Sequence, residues 1–148
     1  MSKLLIVDDD IRLRKLVRTY GEVEHYECDE AADGLAALEK LQNDHFDLVI
    51  LDVMMPGLDG FETLERIRKT SEIPVIMLTA RNEEYDKLTG FGLGVDDYVS
   101  KPFSPKELMA RVGAVLKRNG KKSTVLSYQY KELEIRPDSR TASISGKE

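Results

Sequence analysis

The sequence contains no tryptophan, a single cysteine (Cys28) and only two histidines. One thiol cannot build an intrachain disulfide, which excludes a stapled secreted scaffold and makes a reducing cytoplasm the expected setting. No apolar run approaches the length of a membrane span, so no membrane partner is expected. The opening MSKLLIVDDD reads as a strand followed by a charge cluster, without the apolar core and cleavage site of a secretory signal. No glycine-rich phosphate loop follows that first strand, which argues against a flavin or nucleotide carrier. Basic charge is also in deficit: the formal net charge is −5. The deficit is uneven, because residues 1–118 sum to −7 and residues 119–148 to +2. An acidic unit followed by a mildly basic one is the simplest reading.

What is present is a regular alternation of apolar runs and amphipathic stretches. Leu4–Val7 forms a short apolar run that stops at Asp8-Asp9-Asp10. Between Ile11 and Glu24, Leu13, Leu16, Val17 and Tyr20 recur at helical spacing. A weaker strand over Tyr26–Ala31 leads to a second helix over Leu35–Asn43, with Leu35, Leu38 and Leu41 expected inward. Leu48–Leu51 and Pro74–Leu78 are continuous apolar strands, and a helix over Phe61–Lys69 lies between them. A helix is predicted over Glu83–Phe91, a strand over Tyr98–Ser100, and a last helix from Pro105 to about Arg118, capped by Ser104. Five strand–helix repeats predict a doubly wound α/β fold of flavodoxin-like type, with a five-stranded parallel sheet. The predicted domain covers residues 1–118, and a polar linker over 119–124 follows. Short alternating runs at Val125–Tyr128, Leu133–Arg136 and Thr141–Ile144 then predict an antiparallel β segment over 125–148.

The stretch DLVILDVMMPGLDG, Asp47 to Gly60, organises the rest. Its apolar run suits a strand buried on both faces, yet it ends on Asp52. Parallel strands present their carboxyl ends on one edge, where open α/β sheets place their sites. Asp8-Asp9, Asp52, Thr79 and Lys101 all fall at such ends. Taken singly, each has a plain reading: a helix cap, a strand-end threonine, a surface lysine. Taken together they form a charged site. Gathered carboxylates repel unless a cation intervenes. Oxygen ligands without histidine or cysteine suit a hard ion, so Mg²⁺ (or Mn²⁺) is the expected cofactor. Lys101 and the Thr79 hydroxyl would stabilise a phosphoryl group, with Asp52 as the nucleophile.

These residues carry a resemblance. Asp8-Asp9, Asp52 within DVMMPGLDG, Thr79-Ala80 and Asp96-Asp97-Tyr98-Val99-Ser100-Lys101-Pro102-Phe103 resemble, in order and spacing, a two-component response regulator receiver domain. The resemblance implies a phosphoacceptor regulatory protein rather than an enzyme in its own right. Asp52 would take a phosphoryl group from a sensor histidine kinase and assist its own later dephosphorylation. It further implies Mg²⁺ held by Asp9, Asp52 and the Met54 backbone carbonyl, with Asp8 acting mainly through water, Lys101 on the phosphoryl oxygens, and a cis Lys101–Pro102 bond. Thr79 would move toward the phosphoryl group, and Tyr98 would then turn inward from an exposed position.

The DDYVSKPF run and the β-rich tail look most like the OmpR/PhoB subfamily, whose members regulate transcription. That likeness implies a homodimer through the face built by the helix predicted over 83–91, the strand at Tyr98 and the helix from Pro105. Lys87 with Glu107, and Asp97 with Arg111 or Arg118, would pair across it around Leu88, Phe91 and Ala110. Gly92 and Gly113 depart from the subfamily's charged residues, which implies a dimer that is weaker or less strictly controlled by phosphorylation. The tail resembles the start of a winged-helix domain without its recognition helix, so promoter DNA is a partner expected only of a longer protein. The alternative reading is a receiver acting only through protein–protein interaction, or an unphosphorylated scaffold. A haloacid-dehalogenase-like phosphatase is disfavoured by Met54, where that family needs a second acid.

Overall fold

The computed structural model describes residues 1–79 and 94–128, with residues 120–128 as backbone only. The chain divides into two compact units, Met1–Val115 and Leu116–Glu148, and the site lies in the first. Strands β1 (Lys3–Val7), β2 (Glu27–Ala31), β3 (Leu48–Asp52), β4 (Val75–Thr79) and β5 (Asp97–Ser100) form one sheet in the order β2-β1-β3-β4-β5. Every pairing is parallel. This is the flavodoxin-like order expected of the sequence. All five residues of β3, and all five of β4, are buried, as strands covered on both faces must be. Helices α1 (Ile11–Val23), α2 (Gly34–Asn43), α3 (Gly60–Arg68) and α4 (Pro105–Tyr128) accompany the strands. The helix predicted over Glu83–Phe91 lies outside the described residues.

Three helices start in the same way. Asp10, Asp33 and Asp59 are the N-caps of α1, α2 and α3, and each carboxylate accepts hydrogen bonds from backbone N–H groups of the first turn. At α3 the cap is reciprocal, since Glu62 reaches back to the Asp59 N–H at 2.9 Å. Ser104 serves α4, its Oγ accepting from the Glu107 N–H at 3.3 Å. Each cap follows closely on a strand, so the turns at the carboxyl edge are held at fixed geometry.

Two local expectations are corrected. Leu35 is exposed rather than inward, and Leu16 is also largely exposed. In α2 the inward positions are taken by the small residues Gly34 and Ala37. Their size brings the start of the helix close to its neighbours, which leaves Leu35 pointing to water, whereas Leu38 is half-buried and Leu41 packs against the core as expected. The second correction concerns residues 119–128, where the sequence predicts a linker and a strand. The backbone is helical to Tyr128. A strand satisfies its N–H and C=O groups only against a neighbour, whereas a helix satisfies them within the segment. That gain outweighs the cost of about 1 kcal/mol for Gly120 inside the helix. The strands predicted over Leu133–Arg136 and Thr141–Ile144 lie outside the described residues.

Candidate functional site

The sheet order makes β1 and β3 neighbours, with β2 on one side and β4 on the other. The direction of chain progression reverses between β1 and β3, which is where doubly wound sheets open a crevice. Asp8 follows β1, Asp52 ends β3, Thr79 ends β4, and Lys101 follows β5. Four polar residues are buried among the described residues: Asp8, Asp52, Thr63 and Thr79. Thr63 is accounted for locally, its hydroxyl donating to the Asp59 carbonyl at 2.8 Å. The other three meet at one edge. A structural core has no use for two acids there, since each costs free energy to bury.

Lys101 draws them together. Its ammonium lies 3.1 Å from Asp52 Oδ1 and 3.4 Å from Asp8 Oδ2, across 93 positions of sequence in the second case. Burial pushes the Asp52 carboxyl up to about 6, the nearby charge of Asp8 adds to this, and Lys101 only partly offsets it. Asp8 is raised for the same first reason, burial. Burial pulls Lys101 down, but the two carboxylates outweigh it and the ammonium is held above its ordinary value. Among the described residues, one cation therefore serves two buried acids and leaves negative charge uncompensated.

That deficit bears on the implied metal. Asp8, Asp9 and Asp52 each offer a carboxylate oxygen, and these atoms lie within 4.8 Å of one another. Asp9 is exposed, so the cluster opens to solvent on one side. The donor set is all oxygen, and a hard divalent cation that keeps waters fits it. The Thr79 hydroxyl is buried with no hydrogen-bond partner among the described residues. An unsatisfied buried hydroxyl is costly, which points to a ligand oxygen as its missing partner. Gly60 seats the start of α3 against the end of β3: a Cβ there would lie 2.4 Å from the Asp52 carbonyl oxygen. Only glycine lets α3 start this close to the end of β3.

Residues 4–113 match the response regulator receiver domain family. The chain belongs to that family. A transcriptional regulatory protein CpxR homolog of Haemophilus influenzae is 52% identical over 127 residues, covering 86% of this chain and 56% of that protein. The transcriptional regulatory protein ResD of Bacillus subtilis is 49% identical over 117 residues, covering 79% of this chain and 49% of that protein. The chain thus spans about half the length of the curated relatives it matches. Among solved structures, the chemotaxis protein CheY4 of Vibrio cholerae matches with a TM-score of 0.74 at 37% identity, covering 78% of this chain and 98% of that one. The two-component response regulator identity and the flavodoxin-like receiver fold expected from the sequence are therefore those of this protein.

Not every receiver position lies where the sequence suggests. The Lys101–Pro102 bond is cis, as the resemblance implies. The Met54 side chain is exposed, and a backbone hydrogen bond from Met54 helps hold the Asp52 carboxylate. Tyr98 is already inward, packed in the core cluster with Val75, Met77 and Val95, where the sequence expectation has it exposed before phosphorylation. The apolar ring gains more from that cluster than from water. Arg111 pairs within its own chain, at 2.9 Å from Asp97 and 3.2 Å from Glu107. Glu107, Ala110 and Arg118 are exposed. Lys87, Leu88, Phe91, Ala80 and Gly92 lie outside the described residues. One contact had no sequence signal: Arg14 of α1 donates to the Asp8 carbonyl at 2.7 Å.

Proposed function

We propose that this receiver accepts a phosphoryl group on Asp52 from the phosphohistidine of a sensor kinase, and that the acyl phosphate is the regulatory signal. In the transfer a carboxylate oxygen of Asp52 attacks phosphorus, the P–N bond to the histidine breaks, and the imidazole nitrogen keeps the electron pair. The observation that carries this reading is a buried, strand-end carboxylate with a lysine ammonium at 3.1 Å. Asp8, Asp9, Asp52 and the Met54 carbonyl would hold Mg²⁺ (or Mn²⁺), which supplies positive charge at the phosphoryl oxygens. Lys101 is poised to follow the charge as it develops, already lying between two acids. The Thr79 hydroxyl would donate to a phosphoryl oxygen and so lose its unsatisfied state. Attack of a water on the acyl phosphate would give slow self-dephosphorylation.

The readout is proposed to be a homodimer built on Asp97, Glu107, Ala110, Arg111 and Arg118 together with Lys87, Leu88 and Phe91. Thr79 and Tyr98 are the switch pair of that reading, with Tyr98 standing here in the inward position that phosphorylation would favour. The likeness to transcriptional regulators about twice as long supports a cytoplasmic transcription regulator of the OmpR/PhoB type. Residues 125–148 are then the approach to its DNA-binding domain, with promoter DNA a partner of the longer protein.

Intact-mass analysis with Mg²⁺ and a small phosphodonor tests the central step. A phosphoryl mass shift is expected in the wild-type chain, and none in Asp52→Asn or with chelator. No shift with any donor would leave a scaffold that acts only through protein contacts.

A further inference from the structure

Arg14 stands out among the surface cations of α1 because it is not at the surface. Its side chain is 12% exposed. Its guanidinium has two fixed partners: Nη1 donates to the Asp8 carbonyl at 2.7 Å, and Nε donates to Glu30 Oε1 at 3.0 Å. Glu30, on β2, is held in turn by Lys15 at 3.1 Å and Arg18 at 3.0 Å. A planar fork that bridges a carboxylate and a carbonyl fixes direction as well as charge, which an ammonium cannot do. The peptide it grips is the one that leads from Asp8 to Asp9. Asp8 is tied twice more, its N–H donating to the Ala31 carbonyl at 3.2 Å and its Oδ1 accepting from the Asp10 N–H at 2.9 Å. β2, α1 and the acidic turn are thereby linked through one side chain.

We propose that Arg14, anchored by Glu30, is a positioning residue for the divalent-cation site, setting the orientation of the Asp8–Asp9 peptide and hence of both carboxylates. The inference rests on the phosphoacceptor reading above. Partners that orient metal ligands from outside typically matter by a factor of ten or more in affinity. A rival explanation is bulk charge, and the two differ in sign. If Arg14 acted only as a nearby positive charge, its removal would tighten binding of a cation, whereas neutralising Glu30 would weaken it. If it acts by position, both changes weaken binding.

The test is Mg²⁺ titration of the unphosphorylated full chain by calorimetry, for wild type, Arg14→Ala, Glu30→Gln and Arg68→Ala. Arg68 is the control, because it braces the opposite edge of the sheet, donating to the Ile73 carbonyl at 2.7 Å and the Gly94 carbonyl at 2.8 Å. Arg14→Ala and Glu30→Gln are each expected to raise the Mg²⁺ dissociation constant by about tenfold. Arg68→Ala is expected to lower Tm and leave that constant unchanged. In the metal-free state, hydrogen exchange at the Asp10 N–H should quicken in Arg14→Ala and in Glu30→Gln but not in Arg68→Ala. Tighter binding in Arg14→Ala, unchanged constants in both variants, or an equal loss in Arg68→Ala would overturn the inference. Failure of the wild-type chain to bind Mg²⁺ would overturn the phosphoacceptor reading with it, whereas wild-type binding with unaltered variants overturns this inference alone.

Discussion

Asp52 carries a free-energy cost that is measurable without any phosphodonor. Its carboxyl is pushed up to about 6 in the folded chain, above its ordinary value. The unfolded chain therefore releases this proton at lower pH than the folded one. Metal-free stability should fall as pH rises from about 4 through 6, by roughly 3 kcal/mol for a shift of this size. Asp52→Asn should flatten that part of the profile and raise the denaturation midpoint at neutral pH, as should saturating Mg²⁺ with the wild-type chain. Denaturant melts across pH read all three. Lys101→Ala removes the cation at 3.1 Å and should move the Asp52 titration higher still, observable by carboxyl carbon NMR. Under the proposed chemistry the same variant should also slow phosphorylation by about a hundredfold.

At the scale of elements, α2 and α3 approach closely at Gly34. A Cβ on Gly34 would sit 2.2 Å from Thr63 Oγ1 and 3.0 Å from Leu58 Cβ, so Gly34→Ala forces the helices apart. A loss of about 1–3 kcal/mol is expected, as for other overpacked sites. Thr63→Ala removes the nearer obstacle, so the double variant should lose less than the two single losses combined. Chemical denaturation of the four proteins measures the coupling, and simple additivity would refute the contact. The capping box at Asp59 gives a smaller effect: Asp59→Ala should cost about 1 kcal/mol, because it strands an N–H of the first turn of α3. These caps were readable in the sequence, since an aspartate stands just before each apolar helical repeat. The inward face of α2 was not. Leu35 fits a helical stripe with Leu38 and Leu41 as well as Gly34 and Ala37 do, and only the close approach of the first turn put the small residues inward and Leu35 in water.

For the molecule as a whole, dimerisation is the open quantity. Arg111 is occupied by Asp97 and Glu107 of its own chain, and Gly113 offers no charge on that face. Sedimentation with a phosphoryl mimic should therefore show a weak dimer, and tight, mimic-dependent association would refute that expectation. By itself the sequence determined the strand–helix alternation, the sheet direction and the convergence of Asp8, Asp52, Thr79 and Lys101. Their convergence follows from strand ends, which hydrophobic period alone locates. Tertiary structure decided what period cannot encode. The rotation of α1 turned Arg14, one of several cations in its helix, onto the Asp8 carbonyl. The core cluster drew Tyr98 inward. Residues 119–128 are helical, because backbone groups must find partners in space and a helix supplies them within the segment.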